Sequence, residues 1–152
     1  MKVKDRGVEG VYYRALNRGY LAQTRTVGAL SLLSPIAADA KASVEIDEKF
    51  DGAGPHRVYG MLLLKAPRWP SGIGDPDEAM EQLAKAVELS PEQPLNHLYY
   101  AETLLANDKA AEAKQQLDEA VKAAQAPAWE YLRARLEAQA KELGAKADAK
   151  LK

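Results

Sequence analysis

Four residues of this chain recur in the same order after the same interval. Ala79, Leu83, Ala86 and Val87 return as Ala113, Leu117, Ala120 and Val121, each 34 positions further on. A fixed period of this size marks a short supersecondary unit copied along the chain, and such a unit buries its apolar face only by stacking on its neighbours. Within each copy the four positions fall on one side of an α-helix. The alanines mark places where two helices approach too closely for a longer side chain. Pro91 ends the first of these helices, and Pro127 follows the second two residues later than the period requires.

Each of the two is preceded by a partner helix. In 94–106 the small residue Ala101 is surrounded by His97, Tyr100 and Leu104, and Asn107-Asp108 makes the turn to the next helix. One unit earlier, His56, Tyr59, Gly60 and Leu63 repeat that spacing. Together the two patterns resemble the tetratricopeptide repeat, and predict an all-α fold of helical hairpins. The second hairpin is interrupted, because Gly60 to Ala79 is seven residues longer than Ala101 to Ala113. The surplus is the loop 66-APRWPSGIGDP-76, stiffened by Pro67 and Pro70, with Asp75 placed to cap the next helix and Pro76 in its first position.

The N-terminal segment repeats the logic, with Tyr13, Leu16, Asn17 and Tyr20 at the signature spacing, an insertion around 23–31, and a helix start at Ser34-Pro35. The segment 52-GAGP-55 links it to the second unit. After Pro127, Trp129, Leu132, Leu136, Ala140 and Leu143 predict one amphipathic helix that caps the last hairpin. Gly144 is expected to end it, leaving a frayed tail. The chain is thus read as a single domain over 1–152, with hairpins at about 8–50, 54–91 and 94–125, a capping helix at about 127–143 and a tail at 144–152.

Composition narrows the function more by exclusion than by indication. With 21 basic and 22 acidic residues interspersed, no basic stripe points to nucleic acid. The absence of cysteine removes disulfides, thiol catalysis and zinc–thiolate clusters. No apolar run reaches the roughly 20 residues a membrane span needs, and 1-MKVKDRG-7 lacks the apolar segment of a signal peptide. The expectation is a cytoplasmic protein, or an exported one whose signal has been removed. No nucleophile elbow, phosphate loop or dinucleotide glycine run is present, so no enzyme, cofactor or metal is expected. The acidic pairs 47–48, 77–78 and 118–119 suit helix termini and outer faces.

The stretch 53–107 also resembles one narrower group, the tetratricopeptide-like T components associated with TRAP transporters. The resemblance rests on Gly54, Pro55, His56, Arg57 and Gly60, on Lys65, Pro67, Trp69, Pro70, Gly74 and Asp75 in the loop, and on Asn96, Ala101 and Glu102. It implies a periplasmic, often lipid-anchored protein that works beside the solute-binding component of an organic-acid importer. A periplasmic solute-binding protein would then be its partner, and membrane association would depend on a lipid anchor removed from this sequence. A homo-oligomer is compatible with such a scaffold.

Residues on the first helix of each hairpin line the concave side of such solenoids. The register puts Arg14 and Arg18, then Arg57 and Met61, then Leu98, Glu102 and Leu105 on that side. Converging arginines would form one basic patch for a carboxylate ligand or a peptide terminus. The structural alternative, which weighs more, makes Arg14 and Arg18 a solvated row and ties Arg57 to Glu102 or to the loop. Trp69 is either a plug folded onto the helices or an exposed anchor for a partner; the plug is expected, because a free tryptophan invites association. His56 and His97 are expected to be packed and hydrogen-bonded, not metal ligands. The functions in view are a scaffold docking a solute-binding protein, a carrier of a small anionic or amphipathic ligand in the groove, and a cytoplasmic peptide adaptor.

Overall fold

A computed structural model of the protein describes residues 7–25 and 27–152. Residues 1–6, which carry most of the segment read as lacking a leader, and Thr26 of the first insertion lie outside them. The described residues form seven α-helices: α1 (Val8–Thr24), α2 (Leu33–Asp47), α3 (Phe50–Lys65), α4 (Pro76–Leu89), α5 (Pro94–Ala106), α6 (Ala110–Ala123) and α7 (Glu130–Leu151). Short 3₁₀ turns at Leu30–Leu32 and Pro127–Trp129 lead into α2 and α7. The chain is an all-α solenoid in which α1 pairs with α2, α3 with α4 and α5 with α6, each hairpin stacks on the next, and α7 closes the end against α6 and α5.

Local chemistry places the helix ends. The Asp75 side chain accepts from the backbone N–H of Asp77 and Glu78 at 3.1 and 3.0 Å, with Pro76 in the first turn. At the start of α5 the Gln93 side chain accepts from Leu95 N–H at 3.2 Å, ahead of Pro94. Asp108, at φ 59°, reverses the chain after α5.

Helix crossings follow the small residues of the repeat. Ala79, Ala86, Ala101, Ala113 and Ala120 are wholly buried. A Cβ on Gly60 would stand 2.7 Å from Leu83 Cγ, closer than packed carbons tolerate, so α3 and α4 cross at the distance that glycine permits. Around these contacts Leu83, Leu98, Leu104 and Leu136 are at most 2% exposed, and each such side chain contributes about 1.5–3 kcal/mol.

Two expectations need correction. In α1 the buried column is Val11, Tyr12 and Ala15, whereas Tyr13 is half exposed and Asn17 exposed. Ala15 therefore takes the place that Gly60 and Ala101 hold, two residues before the expected Asn17. Of the two adjacent tyrosines, Tyr12 goes inside because its hydroxyl finds the carboxylate of Asp51 there, at 2.6 Å. At the other end, Gly144 does not stop α7, and 144–152 is no frayed tail. The helix runs on to Leu151 because Ala147 is fully buried and because Asp148 and Lys150 pair with Lys114 and Asp108.

Candidate functional site: the concave groove and its polar floor

The link between the first two hairpins is left-handed. Asp51, Gly52 and Ala53 have φ of 50°, 61° and 61°, a conformation that costs an L-residue such as alanine about 1–2 kcal/mol. It persists because its carbonyls and carboxylate have a partner waiting. Arg57, one turn into the regular part of α3, donates from Nη1 to the Gly52 carbonyl at 3.0 Å and from Nη2 to the Asp51 carbonyl at 3.2 Å. Nη2 also reaches Asp51 Oδ2 at 3.1 Å, and Nη1 reaches Asn96 Oδ1 at 2.8 Å.

Asn96, fully buried, completes the knot. Its two Nδ2–H groups are shared among the carbonyls of Gly52, Ala86 and Ser90, at 3.0, 3.0 and 3.1 Å. The last two belong to the C-terminal end of α4, where they also accept from the backbone N–H groups of Ser90 and Gln93, at 3.0 and 3.2 Å. One side chain thus joins the break in α3 to the end of α4 and the start of α5. Gly54 is required beside the break, since a Cβ there would lie 2.5 Å from the Tyr12 hydroxyl. Burial pushes the Tyr12 hydroxyl far above its usual pKa, with the positive charge of Arg57 pulling the other way.

The two histidines occupy equivalent places. His56 Nδ1 faces Gln82 at 2.7 Å and Nε2 faces Glu48 at 3.0 Å, while His97 Nδ1 faces Gln116 at 2.8 Å and Nε2 donates to the Pro91 carbonyl at 2.7 Å. Gln82 and Gln116 are themselves 34 residues apart, so the second and third hairpins each clip their two helices together with the same His–Gln pair. The hydrogen bond from His56 holds the Glu48 carboxyl below its ordinary range. Among the described residues no group of three or more acidic or histidine side chains is arranged to hold a metal ion.

Above this floor a groove of about 550 Å³ runs between α1, α2 and α3, with Leu95 and Tyr99 of α5 at one end. Its walls are apolar, built from Leu16, Leu33, Ile36, Val58, Met61 and Leu62; Tyr12, Asp51 and Arg57 form its polar end, and Lys65 and Pro67 stand at the other.

The expected basic patch does not form. Arg57 and Met61 line the groove, but Arg14 and Arg18 both bind Asp39 of α2, at 2.5–2.7 Å, and line a separate hollow with Tyr13 and Leu21. The shift in the α1 register explains this: with Ala15 inward, Arg14 and Arg18 turn toward α2. Nor does Arg57 bond Glu102, whose partner is Lys65. Leu98 and Leu105 are not on the groove wall. They are 2% and 6% exposed and belong to the apolar cluster with Ala113 and Leu117 of α6 and Leu136, Ala140 and Ala147 of α7, because they lie on the side of α5 that packs against those helices, whereas Leu95 and Tyr99 reach the groove.

Trp69 is no plug. It is 86% exposed, on a loop pinned at both ends: Gly74 N–H donates to the Pro67 carbonyl at 2.8 Å and Asp75 N–H to the Leu63 carbonyl at 3.0 Å. Pro67, two residues before it, lines the groove. Sequence reasoning missed Tyr12 and Asp51. The one available signal was the acidic residue at the head of 51-DGAG-54, within a turn of Arg57.

No curated protein matches the chain. The tetratricopeptide repeat family model matches residues 74–136, which spans α4, α5, α6 and the first turns of α7. That stretch is similar to the tetratricopeptide repeat, and the chain folds as a tetratricopeptide-like helical-hairpin solenoid; such repeats generally mediate protein–protein interaction.

Proposed function

We propose that the protein is a docking scaffold without a catalytic step of its own, the accessory T component beside the solute-binding protein of a TRAP-type organic-acid importer, and that it works in the periplasm. The observation that carries this reading is the exposure of Trp69 on a pinned loop. Most residues shared with that group have a structural task here. Gly54, His56, Arg57 and Asn96 build and hold the break before the second hairpin, Gly60 and Ala101 permit helix crossings, and Asp75 caps α4. Trp69 has no such task, since packing does not account for a side chain so exposed. Tryptophans held in place at the surface are typical anchors of protein interfaces, because little conformational freedom is lost when they are buried.

The experiment is co-purification of the full chain with the solute-binding protein encoded beside it, for the native sequence and for Trp69→Ala. Capture by the native chain, and at least tenfold weaker capture by the variant at an unchanged melting temperature, is the expected result. Equal capture by both chains, or capture by neither, rejects the reading.

A further inference from the structure

The polar end of the groove holds an ion pair of unequal partners. Arg57 is fixed: its side chain is 8% exposed and is tied to two backbone carbonyls and to Asn96. Asp51 is loose by comparison, its side chain 47% exposed. Among the described residues only one of its oxygens is engaged, Oδ2, which accepts from both Tyr12 and Arg57. Arg57 holds the left-handed turn through the main-chain oxygens of Asp51 and Gly52 as well as through this carboxylate, and the main-chain bonds remain when the carboxylate leaves.

Charge and shape define what could replace that carboxylate. The charged residues lining the groove are Asp51, Arg57 and Lys65, and Lys65 is already paired with Glu102. Once Asp51 leaves, Arg57 is a buried cation without a carboxylate, and its field favours a negative group. Arg57 and Lys65 lie eight residues apart on α3, about 12 Å along the helix, and the wall between them is apolar. A cavity of this size is within the usual range for small-molecule sites.

We propose that the groove is a binding site for an amphipathic monocarboxylate, whose head group takes the place of Asp51 on Arg57 and Tyr12 while its apolar body lies along Leu16, Val58 and Met61. Asp51 is the internal stand-in for that head group and swings to solvent when the ligand enters. This site is independent of any partner docked through Trp69.

Calorimetric titration of the full chain with octanoate, octan-1-ol and octylammonium tests it. Octanoate binds, and the alcohol and the amine bind at least tenfold more weakly. Asp51→Asn removes the competing charge while keeping a residue type that accepts the left-handed conformation. It tightens octanoate about tenfold and leaves octan-1-ol unchanged. Met61→Trp fills the apolar wall, does not touch the polar floor, and abolishes octanoate binding without altering the size or helicity of the protein. The Met61 arm is decisive even if Asp51→Asn does not fold. The proposal is overturned if octanoate does not bind, if octan-1-ol binds as well as octanoate, if Asp51→Asn weakens octanoate or leaves it unchanged, or if Met61→Trp binds it like the native chain.

Discussion

Arg57 Nη1 donates to Asn96 Oδ1 at 2.8 Å across 39 residues of sequence. The contact joins the first regular turn of one hairpin to the first turn of the next, and both partners are buried. Each also donates to main-chain carbonyls, Arg57 to those of Asp51 and Gly52 in the left-handed break and Asn96 to those of Gly52, Ala86 and Ser90. The connection between hairpins is thus carried by polar side chains, where the hairpins themselves are held by small apolar residues.

Replacing Asn96 by alanine should show what that connection contributes. The change removes an acceptor from the buried Arg57 guanidinium, and the carbonyls of Ala86 and Ser90 keep only their backbone donors, Ser90 and Gln93 N–H. With about 1–3 kcal/mol for a buried polar group that loses its partner, the loss is about 2 kcal/mol, read by urea unfolding. A loss under 1 kcal/mol would mean that water replaces the side chain without penalty.

The helix crossings respond to added volume. Ala120→Leu places a larger side chain where α6 has no exposed surface, and overpacking of this kind costs about 1–3 kcal/mol. Ala111, exposed on the same helix, is the control. Equal melting temperatures for the two leucine variants would reject the crossing geometry.

The repeat and its helices could be read because they depend on local residue types at fixed spacing. Alanine at 79, 86, 113 and 120, Asp75 before Pro76, and the seam through Leu136 and Ala140 each act within a turn or two of themselves. The α1 register could not be read in this way. Tyr12 and Tyr13 are equivalent as sequence, and the choice between them was made by Asp51, distant in the chain. The groove failed for the same reason: Arg14 and Arg18 were captured by Asp39, and Leu98 and Leu105 lie on the side of α5 that packs against α6 and α7, which no local signal specified. Gly144 shows the limit of a local rule, since a glycine ends a helix only where tertiary contacts beyond it are lacking.

Residues 144–152 should therefore contribute to stability. Their removal exposes the site that Ala147 fills and breaks the pairs Lys114–Asp148 and Lys150–Asp108. Surface pairs contribute little, so the loss is about 1 kcal/mol, some 2–4 °C in melting temperature for a chain of this length. Removing 127–152 altogether uncovers Leu98 and Leu105 and should lead to aggregation, detected by light scattering. An unchanged melt for the short truncation would return the tail to solvent.

Alkaline pH should weaken the fold through its buried phenols. Burial is the main cause that raises the pKa of Tyr12, Tyr59 and Tyr99. A raised native pKa means that the stabilisation is complete below the unfolded value near 10 and declines as pH rises above it, because the unfolded chain releases its protons first. Tyr12→Phe, although less stable at neutral pH, should lose less stability between pH 9 and 12 than the native chain. Parallel pH profiles for the two proteins would remove Tyr12 from the account.

The two tryptophans give the exposed loop a direct optical test. Trp69 is 86% exposed, whereas Trp129 is partly buried and its indole N–H donates to the Glu92 carbonyl at 3.1 Å. In a Trp129→Phe variant the emission comes from Trp69 alone, and should be red-shifted and fully accessible to acrylamide. Trp69→Phe leaves an emission that is bluer and less readily quenched. If the loop is a docking element, adding the partner should shift the first variant to the blue and protect it from quenching, with little effect on the second. A Trp69 that is already shielded in the isolated protein would mean that the loop folds onto the helices, and the anchor would have to be sought elsewhere.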